Sequence, residues 1–159
     1  MPVANVGSFG YKLLFLFHIA TVIVGFGGLV LGGVYNQKAM KSGSAAANIS
    51  TVNFEVNKLC EYAVYLVPIL GIGLVGASGG AYKFSQAWVS ASFALYIVGL
   101  GIAHGLMIPS HRKLNAALAS GGPTAPDVPA LNQRLAVGGA ALNLLLVVIL
   151  VLMIWKPGL

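Results

Sequence analysis

Residues 11–33 read YKLLFLFHIATVIVGFGGLVLGG, a run that carries no charge after Lys12 and one histidine, His18. At 1.5 Å per residue the run reaches about 34 Å, enough to cross a hydrocarbon core of about 30 Å, so it predicts a transmembrane helix. His18, Thr21, Gly25, Gly28 and Gly32 recur at steps of three and four and share one helical face. Leu, Phe, Val and Ile occupy the other faces. A helix that is bulky outside and small or polar along one stripe turns the bulky side to lipid and the stripe to protein.

The rest of the chain has the same character. Of 159 residues 58% are hydrophobic and only 8% charged, against about 25% charged in soluble domains. The net charge of +6 comes from nine Lys and Arg against three Asp and Glu. These charges are too sparse and scattered for a nucleic-acid footprint and read as a membrane orientation signal. The single cysteine, Cys60, closes no intramolecular disulfide and reads as a buried thiol. The first apolar run is too long for the core of a cleavable signal peptide.

Three further apolar runs follow, so the expected fold class is all-α: a four-transmembrane-helix antiparallel bundle forming one membrane domain over 1–159. The spans are expected at about 11–35, 59–78, 86–109 and 135–155, with loops at about 36–58 and 110–134. Pro68 should kink the second span, and Pro109 should close the third. The brief connection SGGAYKFSQ makes the second and third spans close antiparallel neighbours. Lys38, Lys41, Lys58, Arg112, Lys113 and Arg134 lie on the side of the two long loops, and Lys12, Lys83 and Lys156 on the other. That asymmetry puts the long loops in the cytoplasm and both termini on the non-cytoplasmic side of a bacterial plasma membrane, with Trp88 and Trp155 at the outer interface.

Ionisable side chains inside a bilayer are costly, so His18, His104 and Glu61 each require a partner or a function. His18 either hydrogen-bonds a neighbouring helix, through Tyr62, Tyr65, Tyr96 or Asn143, or serves as a ligand for haem b or a metal. His18 lies about 11 Å below the outer start of its helix and His104 about 27 Å below that of its own. A mismatch of about 16 Å argues against one haem shared by the two histidines. Glu61 and Cys60 fall close to the depth of His104, and His111 lies one heptad beyond His104 on nearly the same face. They form a candidate divalent-metal or proton-relay group. The competing reading is an ion pair fixing the second span against the third, and Lys58 is an alternative partner for Glu61. Asn143 and Thr21 share a depth and are expected to bond to each other. Gly28 with Gly32 and Gly76 with Gly80 match the small-xxx-small pattern for close helix packing, within the bundle or between subunits. No nucleophile elbow, phosphate-binding glycine loop or paired carboxylates occur.

The stretches YKLLFLFHIATVIVGFGG, YIVGLGIAHGLMIPSHRKL and LLLVVILVLMIWKPG resemble a bacterial family of predicted integral membrane proteins, domain-of-unknown-function family 2269. More loosely, the early membrane histidine followed by a glycine pair resembles copper resistance protein D and the membrane-embedded protoporphyrinogen oxidases. That second likeness implies copper handling, or haem and porphyrin binding through His18. The chain has no methionine-rich or multi-histidine copper motif, and no Arg or Lys is expected beside His18. Two functional readings follow. The first is a non-catalytic accessory or assembly subunit of a membrane complex, a respiratory one among the candidates, whose partners are lipid, other membrane subunits or a second copy. The second is a haem- or metal-binding redox or transport protein.

Overall fold

The structure, a computed structural model, describes residues 5–158. Helix α1 spans Phe9–Met40 and opens on Ser8, whose hydroxyl accepts the Tyr11 N–H at 3.3 Å. Helix α2 spans Ala46–Gly76. Helix α3 (Ala87–Ile102) runs through a π-helical turn (Ala103–Met107) into α4 (Ile108–Gly121) as one rod. Helix α5 spans Val128–Trp155. Four rods are long and apolar enough to cross a membrane, and no strand occurs among the described residues.

The helices outrun the apolar runs. Helix α1 has 32 residues, so at about 1.5 Å each it extends well past a core of about 30 Å. The polar stretches 36–58 and 110–134, expected as loops, are therefore mostly helix, broken only by tight turns around 41–45 and 122–127. Backbone hydrogen bonding ends a helix, whereas the edge of the bilayer ends only its apolar composition. Outside the apolar windows these extensions bury a small core of Ala46, Leu114, Leu118, Val128, Leu131 and Leu135. Its residues on α4 and α5 recur at three or four, the spacing of an amphipathic face. Polar pairs tie the same end together: Asn36 donates to Asn132 at 2.6 Å, and Ser50 to Asn115 at 2.6 Å.

Pro109 does not end the third rod. Having no N–H, it cannot serve the Gly105 carbonyl. The chain absorbs the defect in the preceding turn, where the Ile108 N–H reaches back five residues to the Ala103 carbonyl. Pro68 sits inside α2 and leaves the Val64 carbonyl without its helical donor. The Tyr96 hydroxyl on α3 donates to that carbonyl at 2.9 Å, so a neighbouring helix re-satisfies the backbone group the proline orphaned.

Helices α1 and α2 form the most extensive pairing, α5 packs on α1 and on α3 and α4, and α4 returns to α2. Helices α2 and α3, expected as close neighbours, do not pack closely along their length. Aromatic side chains span the gap instead: Tyr96 through its bond to Val64, and Phe93 near Gly71. The short connection between them needs only to join their ends. Gly80, at φ 90°, makes that turn.

Substitutions across the α1–α2 contact have different expected costs. A Cβ at Gly25 would stand 3.0 Å from the Val64 backbone nitrogen, whereas one at Gly27 meets nothing within 4 Å. Gly25→Ala is expected to destabilise by about 1–3 kcal/mol through overpacking, and Gly27→Ala to leave the unfolding midpoint in mild detergent unchanged or raised. Tyr96→Phe strands the Val64 carbonyl and is expected to cost about 1–3 kcal/mol in the same assay.

Candidate functional site

Three polar side chains meet on the flank of the bundle between α2 and the π-helical turn. Glu61 and Tyr65 are four residues apart on α2 and so share a face. The Tyr65 hydroxyl donates to Glu61 Oε1 and lies 2.6 Å from His104 Nε2. His104 Nε2 is itself 2.9 Å from Glu61 Oε1. The other ring nitrogen, Nδ1, lies 3.0 Å from the Leu100 carbonyl. A carbonyl only accepts, so Nδ1 carries a hydrogen.

This geometry constrains the protons. Tyr65 has one hydroxyl hydrogen for two neighbours. If Glu61 is ionised, the phenol donates to it and His104 Nε2 must be protonated to donate in turn. If Glu61 is protonated, Nε2 is bare and accepts. The two arrangements contain the same number of protons and differ only in where one of them sits. The neutral arrangement spares the cost of two separated charges in a low-dielectric setting. One hydrogen therefore lies between Glu61 Oε1 and His104 Nε2, and either atom can carry it. Its side chains are only partly covered, His104 being 45% exposed and Glu61 26%.

The remaining members of the sequence-based grouping lie elsewhere. His111 is buried and stacks on Phe54 with ring centroids 5.7 Å apart. An unbroken α-helix would put it nearly under His104, but the wider π turn rotates everything beyond it by roughly 100°. Cys60 packs against Gly28 on α1. Lys58 pairs with Glu55 at 3.3 Å and not with Glu61. Among the described residues no three His, Cys, Asp or Glu side chains converge as a metal site. A cavity of about 140 Å³ adjoins the triad, with Glu61, His104 and His111 among its walls.

His18 occupies a second place. It is only 4% exposed, and its Nδ1 is buried without a hydrogen-bond partner. None of the expected partners reaches it: Tyr65 and Tyr96 bond elsewhere, and the Asn143 carbonyl oxygen is itself buried and unpaired. Thr21 bonds the Phe17 and His18 carbonyls of its own helix, not Asn143, because a mid-helix threonine finds its nearest acceptors one turn back. His18 lines a cavity of about 490 Å³ whose walls are aliphatic and aromatic, with Lys12 and Lys156 also lining it. Both lysines thus share a cavity with His18, although none was expected beside it. Lys156 bonds the Tyr82 hydroxyl at 2.8 Å and lies over the Tyr82 ring at 4.6 Å. Trp88 meets Tyr82 edge-on and is buried, while Trp155 is exposed.

The packing glycines divide. Gly25, Gly28 and Gly32 face Val64, Cys60 and Asn57 of α2 in the same chain. Gly76 ends α2 and Gly80 lies in the turn beyond it, so these two do not share a helical seam. Sequence reasoning missed Tyr65 as the bridging hydroxyl, although its place one turn after Glu61 was a usable signal. Nothing in the sequence placed Lys156, at the far end of the chain, on the cavity that His18 lines.

A double-mutant cycle on Glu61→Gln and His104→Ala is expected to show a coupling of about 0.5–1 kcal/mol in unfolding stability. Strictly additive losses would mean that the two side chains do not interact.

No curated protein and no solved structure matches the chain. One protein family does, over residues 12–157, nearly the whole length and all four apolar rods. The chain belongs to that family, the predicted integral membrane proteins of domain-of-unknown-function family 2269.

Proposed function

We propose that this membrane protein holds haem b in the cavity beside His18 and serves as a small redox protein of the bacterial plasma membrane. The observation that carries the reading is the cavity itself: about 490 Å³, within the range of roughly 300–1,000 Å³ typical of cofactor sites. It contains a buried imidazole with an unpartnered nitrogen. Three features of the chain fit the group. Neutral imidazole is the usual axial ligand of haem iron, and His18 supplies it. Met153 also lines the cavity, and its thioether would be the candidate second ligand. Lys12 and Lys156, both lining the cavity, suit the two carboxylates of a porphyrin. Bound there, haem supplies reversible one-electron transfer. The protein's part is to exclude water with aromatic and aliphatic walls and to hold the carboxylates toward the end where the lysines lie. The count of Lys and Arg supports placing that end outside the cytoplasm.

The competing reading, an accessory subunit packing through glycine seams, draws less support. Gly25, Gly28 and Gly32 are taken up by α2 of the same chain, and Gly76 and Gly80 form no seam.

Absorption spectra of the protein expressed with haem supply and purified in mild detergent test the proposal. A Soret band and sharpened reduced bands, stoichiometric with the chain, are expected. His18→Ala should lower haem content at least tenfold with helix content unchanged, and Lys12→Ala with Lys156→Ala several-fold. A flat spectrum from the unaltered protein would overturn the assignment.

A further inference from the structure

The flank triad uses none of the polar residues assigned to the His18 site, and with its small cavity it points to a second ligand. We infer that Glu61 and His104, held by Tyr65 behind them, bind the headgroup of a para-quinone, and of its quinol, entering sideways from the bilayer. Four observations carry this. The adjoining cavity, about 140 Å³, is close to the roughly 150 Å³ of an engineered apolar cavity that takes up benzene. It therefore suits a single six-membered ring. Its walls are predominantly apolar, with Phe26, Phe54 and Tyr96 among them, and its polar members are Glu61 and His104 together with Asn57, Lys58 and His111. The triad is partly exposed on the side of the bundle, at the depth where α2 and the third rod leave their apolar runs. A lipid-borne molecule reaches such a site without crossing water.

The fourth is the close contact of Glu61 Oε1 with His104 Nε2 at 2.9 Å, where one hydrogen can sit on either atom. A quinone oxygen is a carbonyl and needs a donor; a quinol oxygen is a hydroxyl and also needs an acceptor. A carboxyl and an imidazole sharing one movable proton present either role from the same atoms. A fixed donor such as lysine serves only one form, and Lys58, which also lines the cavity, is paired with Glu55. Metal binding is the poorer account, because the triad offers one imidazole and one carboxylate. The π turn contributes directly: it carries His104 to Glu61 and Tyr65, while His111, stacked on Phe54, lines the same cavity apart from the triad. Such turns inside α-helices are common at functional sites. The small cavity shares Phe26, Tyr96, Leu146 and Ile149 with the cavity of His18, so the two sites adjoin. Quinone binding does not depend on the haem assignment.

The test is equilibrium binding of tritiated decyl-ubiquinone, and separately of a short-tailed naphthoquinone, to the full chain in phosphatidylcholine nanodiscs. A photoreactive azido-ubiquinone then maps the contact by mass spectrometry. Saturable binding of one molecule per chain is expected, with crosslinks on peptides containing Glu61 or His104 that excess decyl-ubiquinone removes. Glu61→Gln and His104→Ala should each weaken binding at least tenfold, and Tyr65→Phe several-fold, while His18→Ala leaves it unchanged. The crosslink map of the unaltered protein decides the matter even if a variant fails to fold. Non-saturable partitioning, equal binding by Glu61→Gln and His104→Ala, crosslinks confined to other helices, or loss of binding in His18→Ala alone would each overturn the inference.

Discussion

The contact between Gly25 and the backbone of Val64 is the constraint on which the other arrangements depend. With no side chain at Gly25, helix α1 lies directly on the main chain of α2. Four residues further along α2, Pro68 withholds the N–H that the Val64 carbonyl would otherwise receive. Tyr96 supplies the missing donor from α3. One residue of α2 thus receives α1 on its backbone nitrogen side and α3 on its carbonyl. Because α2 and α3 do not otherwise pack closely, this bond helps set the register of the third rod. That register in turn brings His104 opposite Glu61 and Tyr65.

Apolar helices in lipid gain little from burying more apolar surface, so the specific contacts here are small residues and hydrogen bonds. Asn53 donates to the Gly32 carbonyl at 3.1 Å, and Asn57 bonds back to Asn53, beside the glycines that make room for them. The polar groups left over are more informative. His18 retains an unpaired buried nitrogen beside a cavity, and the flank triad retains a proton with two places to go. The first is a polar atom that no group of the chain satisfies among the described residues. The second is a set of partners already satisfied among themselves and able to reorganise around a third. Such groups carry a cost in a low-dielectric setting and mark the places where function is to be sought.

Much of the fold was legible in the sequence. Four apolar runs of sufficient length, separated by polar stretches, are enough for a four-span helical protein, because lipid leaves the backbone no other way to bond itself. The stripe from His18 to Gly32 was legible too, since periodicity alone places it on one face. The polar stretches were misread because composition reports where the bilayer ends, not where the helix ends. Pro109 was misread because a proline ends a helix only if the preceding turn cannot widen. Glu61 and His104 were singled out for their cost in a membrane, and the structure brings them within 2.9 Å. His111 left the group because a π turn changes the phase of everything beyond it, and no count of residues reveals such a turn.

The sequence by itself determined the solvent, the number of crossings and the residues whose presence in lipid needs a reason. These follow from local quantities: run length, charge and helical period. The tertiary structure decided who meets whom. It used Gly25, Gly28 and Gly32 within the chain, sent Tyr96 to a backbone carbonyl and not to His18, paired Lys58 with Glu55, and brought Lys156 to the cavity of a histidine 138 positions away. Those choices depend on how rigid rods cross and on which side chain fills each gap. In a chain this rich in interchangeable apolar residues, such packing is a property of the whole bundle and of no single stretch.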